Sequence, residues 1–546
     1  MEISVIGSTQ AKFVKADSAY RVLGFCSSRR YDDVLSRNSR VCLGQPSIRL
    51  RRLGLRLTVR AVHTEPALPA RVSTDRSAAS APSRSRPNNG VRLYVGLPLD
   101  AVSEANTVNH AKAISVGLKA LKLLGVEGVE LPVWWGIAEK EAMGSYNFSG
   151  YLNLAEMVQK AGLKLHVSLC FHGLKQPKIP LPEWVTRIGE NEPSIYFSDR
   201  SGLLYKDCLS LAVDELPVLD GKTPIEVYQD FCQSFKSSFS QFIDSTITGI
   251  SMSLGPNGEL RYPSDHGQSR NLKIPGVGEF QCYDKNMLAL LKQHAEASGN
   301  PFWGLSGPHD APSYDQTPSS NGFFKDHGGS WESPYGDFFL NWYSSQLASH
   351  GARLLSLASS VFSDADVAVY GKVPLLHPWY RTRARPLELT AGFYNTERRD
   401  GYEAIAEMFA RNSCKVILPG MDLSDEDLPG EALSSPQSLL RQVRAACRKL
   451  GVDVSGQNSS DRRVARGGFE QLKENLSGQE GSVDLFIYER MGAYFFSPEH
   501  FPSFTAFVRS IYQPQMDTDD IPDEEVVGAE ESVPMASESG VHMQAA

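Results

Sequence analysis

The chain has 546 residues, of which 41% are hydrophobic, and its formal net charge is −8 at pH 7. The length permits several domains or one large barrel, while the acidic balance gives no sign of nucleic-acid binding, and no stretch reaches the roughly 18 apolar residues of a membrane span. The eight cysteines include no C-x-x-C pair, which argues against a zinc site or a disulfide scaffold and favours a reducing compartment. We therefore expect no metal, no other cofactor, no nucleic acid and no membrane partner.

The N-terminal segment differs in composition from the rest of the chain. Residues 1–86 hold 14 arginines, two lysines and six acidic residues, with many Ser and Ala. This composition is typical of an organelle transit peptide followed by a linker, with Arg49–Ala61 as a basic amphipathic segment that ends near a cleavage site. The alternative is a basic arm that binds an anionic partner. We assign 87–512 to the folded domain and 513–546 to an acidic, disordered tail.

Strands and helices alternate from residue 91 onwards. Apolar residues at helical spacing predict helices over Asn109–Leu124, which Gly125 ends, and over Leu152–Gly162. The predicted strands are Arg92–Pro98, Val126–Trp135, Leu163–Phe171, Ile247–Leu254, Val367–Val373, Cys414–Leu418, Val452–Ser455 and Val483–Tyr488. This alternation indicates βαβ units and a parallel sheet. Eight strands with long βα loops fit an α/β fold with a single (β/α)8 TIM barrel, whose chemistry lies at the carboxyl ends of its strands.

The first candidate for chemistry is the turn after the fourth predicted strand. Gly255, Pro256 and Gly258 break the strand and place Glu259 at its end. A carboxyl group held there is well placed to donate a proton. Arg261 lies beside it and could instead pair with the carboxylate and keep it ionised, so these residues alone leave open both a chemical role and a plain surface turn.

Longer strings around this turn carry a resemblance to a known family. Gly255–Ser264 and Pro275–Asp284 resemble the active-site signature of plant beta-amylases, glycoside hydrolase family 14. The resemblance covers about residues 90–512 and also supports the count of eight strands. It implies a (β/α)8 barrel that releases maltose from the non-reducing ends of α-1,4-glucans with inversion, with Glu259 at the position of the general acid. Other strings resemble a plant group of inactive beta-amylases, namely Leu418–Asp425, Val454–Ser460 and Phe495–His500.

The position of the general base departs from the family. Val454–Ser459 matches the string that carries the base, but Gln457 stands where the family has Glu. Inverting glycosidases need two carboxyl groups roughly 6.5–9.5 Å apart, and glutamine can orient a water but cannot accept its proton. Because general-base catalysis typically supplies about 10²–10⁴-fold, this change implies the loss of most activity.

Two other carboxylates could replace the base, and we expect neither to do so. Glu130 lies two residues before Pro132 and would sit one layer deeper in the barrel, where pairing with a lysine or arginine is the better interpretation. Glu489 adjoins Arg490 and, by strand alternation, would face away from the site.

Further departures fall at other strand ends. Pro132 stands where the family has a sugar-binding Asp, Pro378 where it has a sugar-facing Trp, and Gly420 where it has a Glu. After His172, the Gly-rich mobile loop of the family is missing, and a shorter stretch leads to Trp184. A lid excludes water and completes a site, so the resemblance implies weakened binding as well as weakened chemistry.

Other motif positions are kept. The residues that match family substrate-binding positions are His172, Arg261, Lys372, His377, Asn458 and Arg490. The alternative for all six is a scaffold role, because a barrel rim needs hydrogen-bonded polar groups whether or not it catalyses. Trp134 and Trp135 could stack on sugar, but we expect them to pack beneath the rim.

The sequence thus predicts a beta-amylase family protein of plastid starch metabolism that is catalytically inactive and regulatory. The expected partners are α-1,4-glucan or maltose, with active beta-amylases or other proteins of starch metabolism as further candidates, and the expected location is the chloroplast stroma. Two alternatives remain: a weakly active exo-beta-amylase, and a protein-interaction scaffold that does not bind glucan.

Overall fold

The computed structural model of the chain describes residues 90–266, 274–426, 428–460, 464–477 and 483–512. The predicted transit peptide and the predicted acidic tail lie outside the described residues.

Eight parallel strands close into a barrel. Around the barrel their order is β1-β10-β9-β8-β7-β6-β3-β2, and β4 and β5 form a separate antiparallel hairpin. The ten strands are β1 Arg92–Gly96, β2 Gly128–Trp134, β3 Lys164–Cys170, β4 Tyr196–Ser198, β5 Leu204–Leu209, β6 Ile247–Met252, β7 Ala368–Lys372, β8 Lys415–Leu418, β9 Val454–Gln457 and β10 Leu485–Tyr488. The predicted (β/α)8 barrel is therefore confirmed.

Helices surround the barrel and begin and end at residues that suit helix termini. Gly125 closes α1 with a φ of 96°, a left-handed conformation that glycine adopts without a steric penalty. Thr223 and Glu226 form a reciprocal capping box at the start of α5. The helices are α1 Ala111–Leu124, α2 Trp135–Ala138, α3 Ser149–Lys160, α4 Glu183–Asn191, α5 Pro224–Ser238, α6 Lys285–Ala297, α7 Pro334–Val361, α8 Pro386–Thr390, α9 Tyr402–Arg411, α10 Pro436–Lys449, α11 Phe469–Ser477 and α12 Phe501–Tyr512.

The predicted elements agree with the structure except at their ends. The two predicted helices correspond to α1 and α3, and α3 begins three residues earlier than predicted, at Ser149. One boundary matters for function: the seventh barrel strand runs over Val454–Gln457, not Val452–Ser455. Gln457 is therefore the last residue of β9 and lies in register with Ile487 of β10, so the ladder fixes its backbone.

The barrel strands contribute a small cluster of buried side chains of their own. Tyr94, Tyr370, Ile417, Leu485 and Ile487 form a buried cluster. A layer of side chains of this kind makes the barrel a packed core and not a pore. Within the described part of the chain, none of the helices is both long enough and apolar enough to cross a membrane.

Candidate active site

The turn after β6 holds Glu259 at the carboxyl end of the barrel. Gly255 has φ 148°, and a Cβ built there would lie 2.8 Å from the carbonyl oxygen of Glu259. The amide of Gly258 donates to the carbonyl of Gly255 at 3.0 Å, which closes the turn. The chain then runs beside β7, where the amide of Leu260 donates to the carbonyl of Lys372 at 2.9 Å. The breaks seen in the sequence therefore create a rigid platform for one carboxyl group.

Glu259 is buried beside two cations. Arg261 Nε donates to Glu259 Oε2 at 3.1 Å, as the adjacent residues suggested. Burial raises the pKa of Glu259 above its usual value, and the opposing attraction of Arg261 and Lys372 does not cancel this rise. A carboxyl group whose pKa is raised keeps its proton to higher pH, which is the property that a general acid needs. The neighbourhood of Glu259 therefore still suits proton donation.

A line of alternating charges crosses the mouth of the barrel beside Glu259. Lys372 Nζ lies 3.5 Å from Glu489 Oε1, and Arg490 Nη2 lies 3.4 Å from the same oxygen. Arg490 Nη1 lies 3.5 Å from Glu130 Oε2, so the expected pairing of Glu130 with a barrel cation is confirmed. We refer to Glu130, Arg490, Glu489 and Lys372 as the mouth ion chain.

The prediction that Glu489 faces away from the site is wrong. Strand β10 ends at Tyr488, so the alternation of a strand no longer determines where the next side chain points. Glu489 is buried, and its carboxylate joins the mouth ion chain next to Lys372. The adjacent Glu489-Arg490 pair in the sequence was the signal that could have placed it there.

Gln457 lies at the end of β9 with an unsatisfied acceptor. Its side chain is 2% exposed, and Oε1 has no hydrogen-bond partner among the described residues. Its backbone is held, because its carbonyl accepts from the amide of Met421 at 3.0 Å. A buried amide oxygen without a donor costs free energy, typically about 1–3 kcal/mol. The side chain is therefore positioned to accept a hydrogen bond that the described residues do not supply.

The side chain of Asn458, next to Gln457, forms hydrogen bonds with the backbone at the end of the neighbouring strand. Its Nδ2 donates to the carbonyl of Glu489 at 2.8 Å, and its Oδ1 accepts from the amide of Glu489 at 2.6 Å. Both polar atoms thus hold Glu489 in place. This geometry favours the scaffold interpretation of Asn458 over direct sugar contact.

The two predicted histidines lie at different strand ends. His172, after β3, shares a hydrogen bond between Nδ1 and Ser253 Oγ at 2.9 Å, and its ring packs edge-on against Trp134. Burial lowers the pKa of His172 to about 3, so the ring is neutral. His377, after β7, shares a hydrogen bond between Nδ1 and Ser434 Oγ at 2.5 Å. Both serines were missed from the sequence, since nothing marks a single serine as a partner of a distant ring.

The segment after β3 forms a pinned hairpin. Leu174 and Ile179 pair through two backbone hydrogen bonds of 2.6 and 2.8 Å. Lys175 forms an ion pair with Asp207, at 3.6 Å, and lies over the ring of Tyr205. These contacts tie the segment to β5. The expected change from a mobile Gly-rich loop to a shorter one is thus accompanied by specific anchoring.

Pro132 fits its strand without breaking the sheet. The carbonyl of Glu130 accepts from the amide of Leu97 at 2.8 Å, so alternate residues of β2 face β1. β1 ends at Gly96, opposite Glu130. The missing N–H of Pro132 therefore faces a position where no strand remains to be paired.

The assembled site keeps a buried carboxyl group that suits proton donation. It places Glu259, Arg261, Lys372, Asn458 and Arg490 around one barrel mouth, with Gln457 at the end of β9. At the position where the family resemblance implies the general base, the side chain is a buried amide. In the described part of the chain, no group of three or more His, Cys, Asp or Glu side chains is arranged to hold a metal ion.

Comparison with known proteins agrees with this geometry. The sequence profile of glycosyl hydrolase family 14 matches residues 94–515. The chain is 57% identical over 533 residues to a protein named "Inactive beta-amylase 9" of Arabidopsis thaliana, with 97% of each chain covered. It is 41% identical over 434 residues to "Beta-amylase 1, chloroplastic" of the same plant, covering 77% of this chain and 76% of the other.

A solved structure supports the fold. The catalytic domain of a beta-amylase from Paenibacillus polymyxa superimposes with a TM-score of 0.64 at 24% identity. The match covers 78% of this chain and 99% of that domain. The barrel, the turn that carries Glu259 and the family profile lead to one conclusion: this chain belongs to glycosyl hydrolase family 14.

Proposed function

We propose that this chain is a noncatalytic beta-amylase family protein that binds the non-reducing ends of α-1,4-glucans and regulates their breakdown. The observation that carries the proposal is Gln457. By its resemblance to the family string it stands at the position of the general base, and as a buried amide its Oε1 has no partner among the described residues. An amide in this place can accept a hydrogen bond from a sugar hydroxyl or a water, but it cannot remove a proton.

The remaining polar groups support binding. Arg261, Lys372 and Arg490 present cationic donors beside buried carboxylates, and such mixed donors and acceptors suit the many hydroxyl groups of a glucan. The pinned hairpin after β3 supports slow or absent turnover, because a loop tied to Asp207 does not open and close as a lid does. Together these features favour retention of a sugar without cleavage.

The location and the regulatory partners form the finer part of the proposal. The arginine-rich composition of residues 1–86 supports import into a chloroplast. The relative named beta-amylase 1 is described as chloroplastic, and the relative named inactive beta-amylase 9 is not. We propose that the protein acts in the plastid stroma on starch, together with active beta-amylases or other proteins of starch metabolism.

Maltose release from soluble starch by the full chain tests the loss of activity. We expect no release by the wild type, and release by Gln457→Glu if the missing base is the main lesion, because a base supplies about 10²–10⁴-fold. The double variant Gln457→Glu, Glu259→Gln should again release no maltose. Gln233→Glu, on the exposed face of α5, controls for the added charge. Release by the wild type that disappears in Glu259→Gln would overturn the noncatalytic assignment.

Retention on starch separates glucan binding from a pure scaffold role. Affinity electrophoresis through a gel containing amylopectin should retard the wild type, and maltotetraose should relieve the retardation. Migration that amylopectin leaves unchanged would refute glucan binding and favour the scaffold alternative.

A second candidate, slow exo-hydrolysis, is favoured by the position of Glu489. Its carboxylate faces the site and lies on the strand end next to Gln457. It lies 3.5 Å from Lys372 and 3.4 Å from Arg490, so it would have to act as a base while in contact with two cations. If the wild type releases β-maltose slowly, Glu489→Gln should abolish that release and identify Glu489 as the substitute base.

A further inference from the structure

A cavity of about 240 Å³ lies outside the mouth ion chain, between the segments that follow β7 and β8. Three guanidinium groups line it, those of Arg381, Arg383 and Arg385. Hydroxyl groups of Ser435 and Ser438 lie at the start of α10 on the other side. The volume is below the roughly 300–1,000 Å³ of pockets for drug-sized ligands, so the cavity suits a smaller polar molecule.

Two of the three arginines already have counter-ions. Arg381 Nη2 donates to Asp425 Oδ2 at 3.0 Å. Arg383 pairs with Glu332 and lies 3.7 Å from Glu397. The carboxylates balance the positive charges of Arg381 and Arg383. The remaining positive charge at the cavity is that of Arg385.

Arg385 differs from the other two. Among the described residues no carboxylate oxygen lies within 4.0 Å of its guanidinium group, and its Nε is buried without an acceptor. Its guanidinium stacks on the ring of Tyr380 at 4.0 Å, and Nη1 donates to Gln442 Oε1 at 3.0 Å. These contacts hold the group in one orientation. The cavity therefore contains one oriented guanidinium group that makes no direct ion pair with a carboxylate of the described residues.

The start of α10 stabilises a carboxylate at the edge of the cavity. Asp425 accepts hydrogen bonds there from Ser435 Oγ at 2.6 Å and from the amide of Gln437 at 3.1 Å. Burial raises the pKa of Asp425, but these hydrogen bonds and Arg381 outweigh burial and bring the pKa below its usual value. The chain's own carboxylate thus shows that this end of the helix stabilises negative charge.

We propose that this cavity binds a phosphorylated sugar, with the phosphate on Arg385 and the sugar hydroxyls on the serines and carboxylates of the rim. Guanidinium groups form charge-assisted hydrogen bonds with phosphate oxygens. Glu397 and Ser438 offer an acceptor and a hydroxyl to a polyol. The same chemistry is present in a free hexose phosphate and in the phosphorylated end of a glucan chain. The proposal is independent of whether the barrel mouth binds or cleaves glucan.

Isothermal titration of the full chain tests the proposal. The probes are a hexose monophosphate, the same hexose without phosphate, inorganic phosphate, and a phosphorylated maltodextrin. We expect the hexose monophosphate to bind more tightly than inorganic phosphate and the unphosphorylated hexose to give no heat at the same concentrations. The affinities for the free hexose phosphate and for the phosphorylated maltodextrin are then compared. The probe that binds more tightly identifies the source of the ligand.

Two variants and one control localise the site. Arg385→Gln should weaken binding of the hexose phosphate about ten-fold or more, since a charge-assisted hydrogen bond is lost. Ser438→Asp should also weaken binding of the hexose phosphate, because it adds a negative charge to the cavity. The fold should be kept, since an acidic residue is favourable in the first turn of a helix. Arg411→Gln removes an exposed guanidinium from α9 and should leave binding unchanged.

The outcomes that overturn the proposal are distinct from those of the starch assays. Absence of binding at millimolar hexose phosphate refutes it, as does equal binding by wild type and Ser438→Asp. Equal affinity for the hexose with and without phosphate also refutes it, since the unpaired Arg385 would then have no role. Each of these results leaves the noncatalytic assignment of the barrel mouth untouched.

Discussion

Lys372 Nζ and Glu489 Oε1 meet at 3.5 Å across the mouth of the barrel, with their side chains 21% and 10% exposed. Lys372 ends β7 and Glu489 follows β10, and the strands β8 and β9 lie between these two in the sheet. The pair therefore connects strand ends that are not neighbours. It joins Arg490 and Glu130 on one side and the surroundings of Glu259 on the other, so the mouth is a coupled set of charges.

Removing the cation of this pair should destabilise the fold. Lys372→Met leaves Glu489 buried with less compensation, although Arg490 still lies at 3.4 Å. We expect a loss of about 1–3 kcal/mol in the free energy of unfolding, measured with urea, because breaking one partner of a buried pair leaves its desolvation uncompensated. The control is Lys160→Met, which breaks the exposed pair with Glu156 on α3 and should change stability little.

A double-mutant cycle tests whether the loss comes from this contact. Glu489→Gln combined with Lys372→Met should cost less than the sum of the single changes, since the second change removes the charge that the first leaves unpaired. Strict additivity would show that Lys372 stabilises the fold through other groups.

The turn that carries Glu259 should not tolerate a side chain at its first glycine. Gly255→Ala places a Cβ at φ 148° and 2.8 Å from the carbonyl oxygen of Glu259, so the backbone of the turn must move. We expect a loss of more than about 1 kcal/mol in the free energy of unfolding. Gly202→Ala is the matched control, because Gly202 has φ 85° but no atom within 4 Å of its built Cβ. A similar loss in both variants would indicate that positive φ, and not the contact with Glu259, decides the effect.

A buried carboxyl group outside the mouth should make stability fall as the pH rises. Glu388 Oε1 accepts from Asn395 Nδ2 and from the hydroxyl of Tyr402, and burial raises the pKa of Glu388 from 4.5 to about 7. The folded chain thus binds this proton more tightly than the unfolded chain. The resulting stabilisation is complete below pH 4.5 and is lost as the pH rises to about 7.

Glu388→Gln removes this dependence, because an amide does not titrate. We expect urea unfolding between pH 4.5 and 7.5 to show a wild-type decline that exceeds that of the variant by roughly 3 kcal/mol. Glu156→Gln, on the surface of α3, serves as the control. Parallel pH profiles for wild type and Glu388→Gln would contradict the expectation.

Replacing Asn458 should lower the free energy of unfolding. Asn458→Ala removes both hydrogen bonds to the backbone of Glu489 and leaves a buried amide and carbonyl unsatisfied, at a cost of about 1–3 kcal/mol. Asn191→Ala removes a side-chain hydrogen bond on the exposed end of α4 and should cost less. If Asn458→Ala unfolds like the wild type but no longer binds amylopectin, the side chain contacts sugar directly.

The barrel and its strand ends could be predicted from the sequence because their signals are local. Apolar runs separated by glycine and proline, together with the family resemblance, predicted all eight barrel strands, and Gly125 marked the end of α1. The replacement of a carboxylate by Gln457 is also visible in the sequence, since side-chain chemistry does not depend on the fold. The one boundary that mattered, that of β9, was missed because its last residues, Gly456 and Gln457, have no apolar side chains to extend the pattern.

Tertiary structure decided which charges meet. Glu489 was expected to face away from the site, yet it lies beside Lys372, because β10 ends at Tyr488 and the next residue need not follow the alternation of the strand. Arg381, Arg383 and Arg385 are equivalent in the sequence, but the fold pairs the first two directly with carboxylates, while the third makes no ion pair with a described residue. The sequence thus determined the barrel and the identity of each group at its mouth, while their pairing depended on distances between strand ends far apart in the chain.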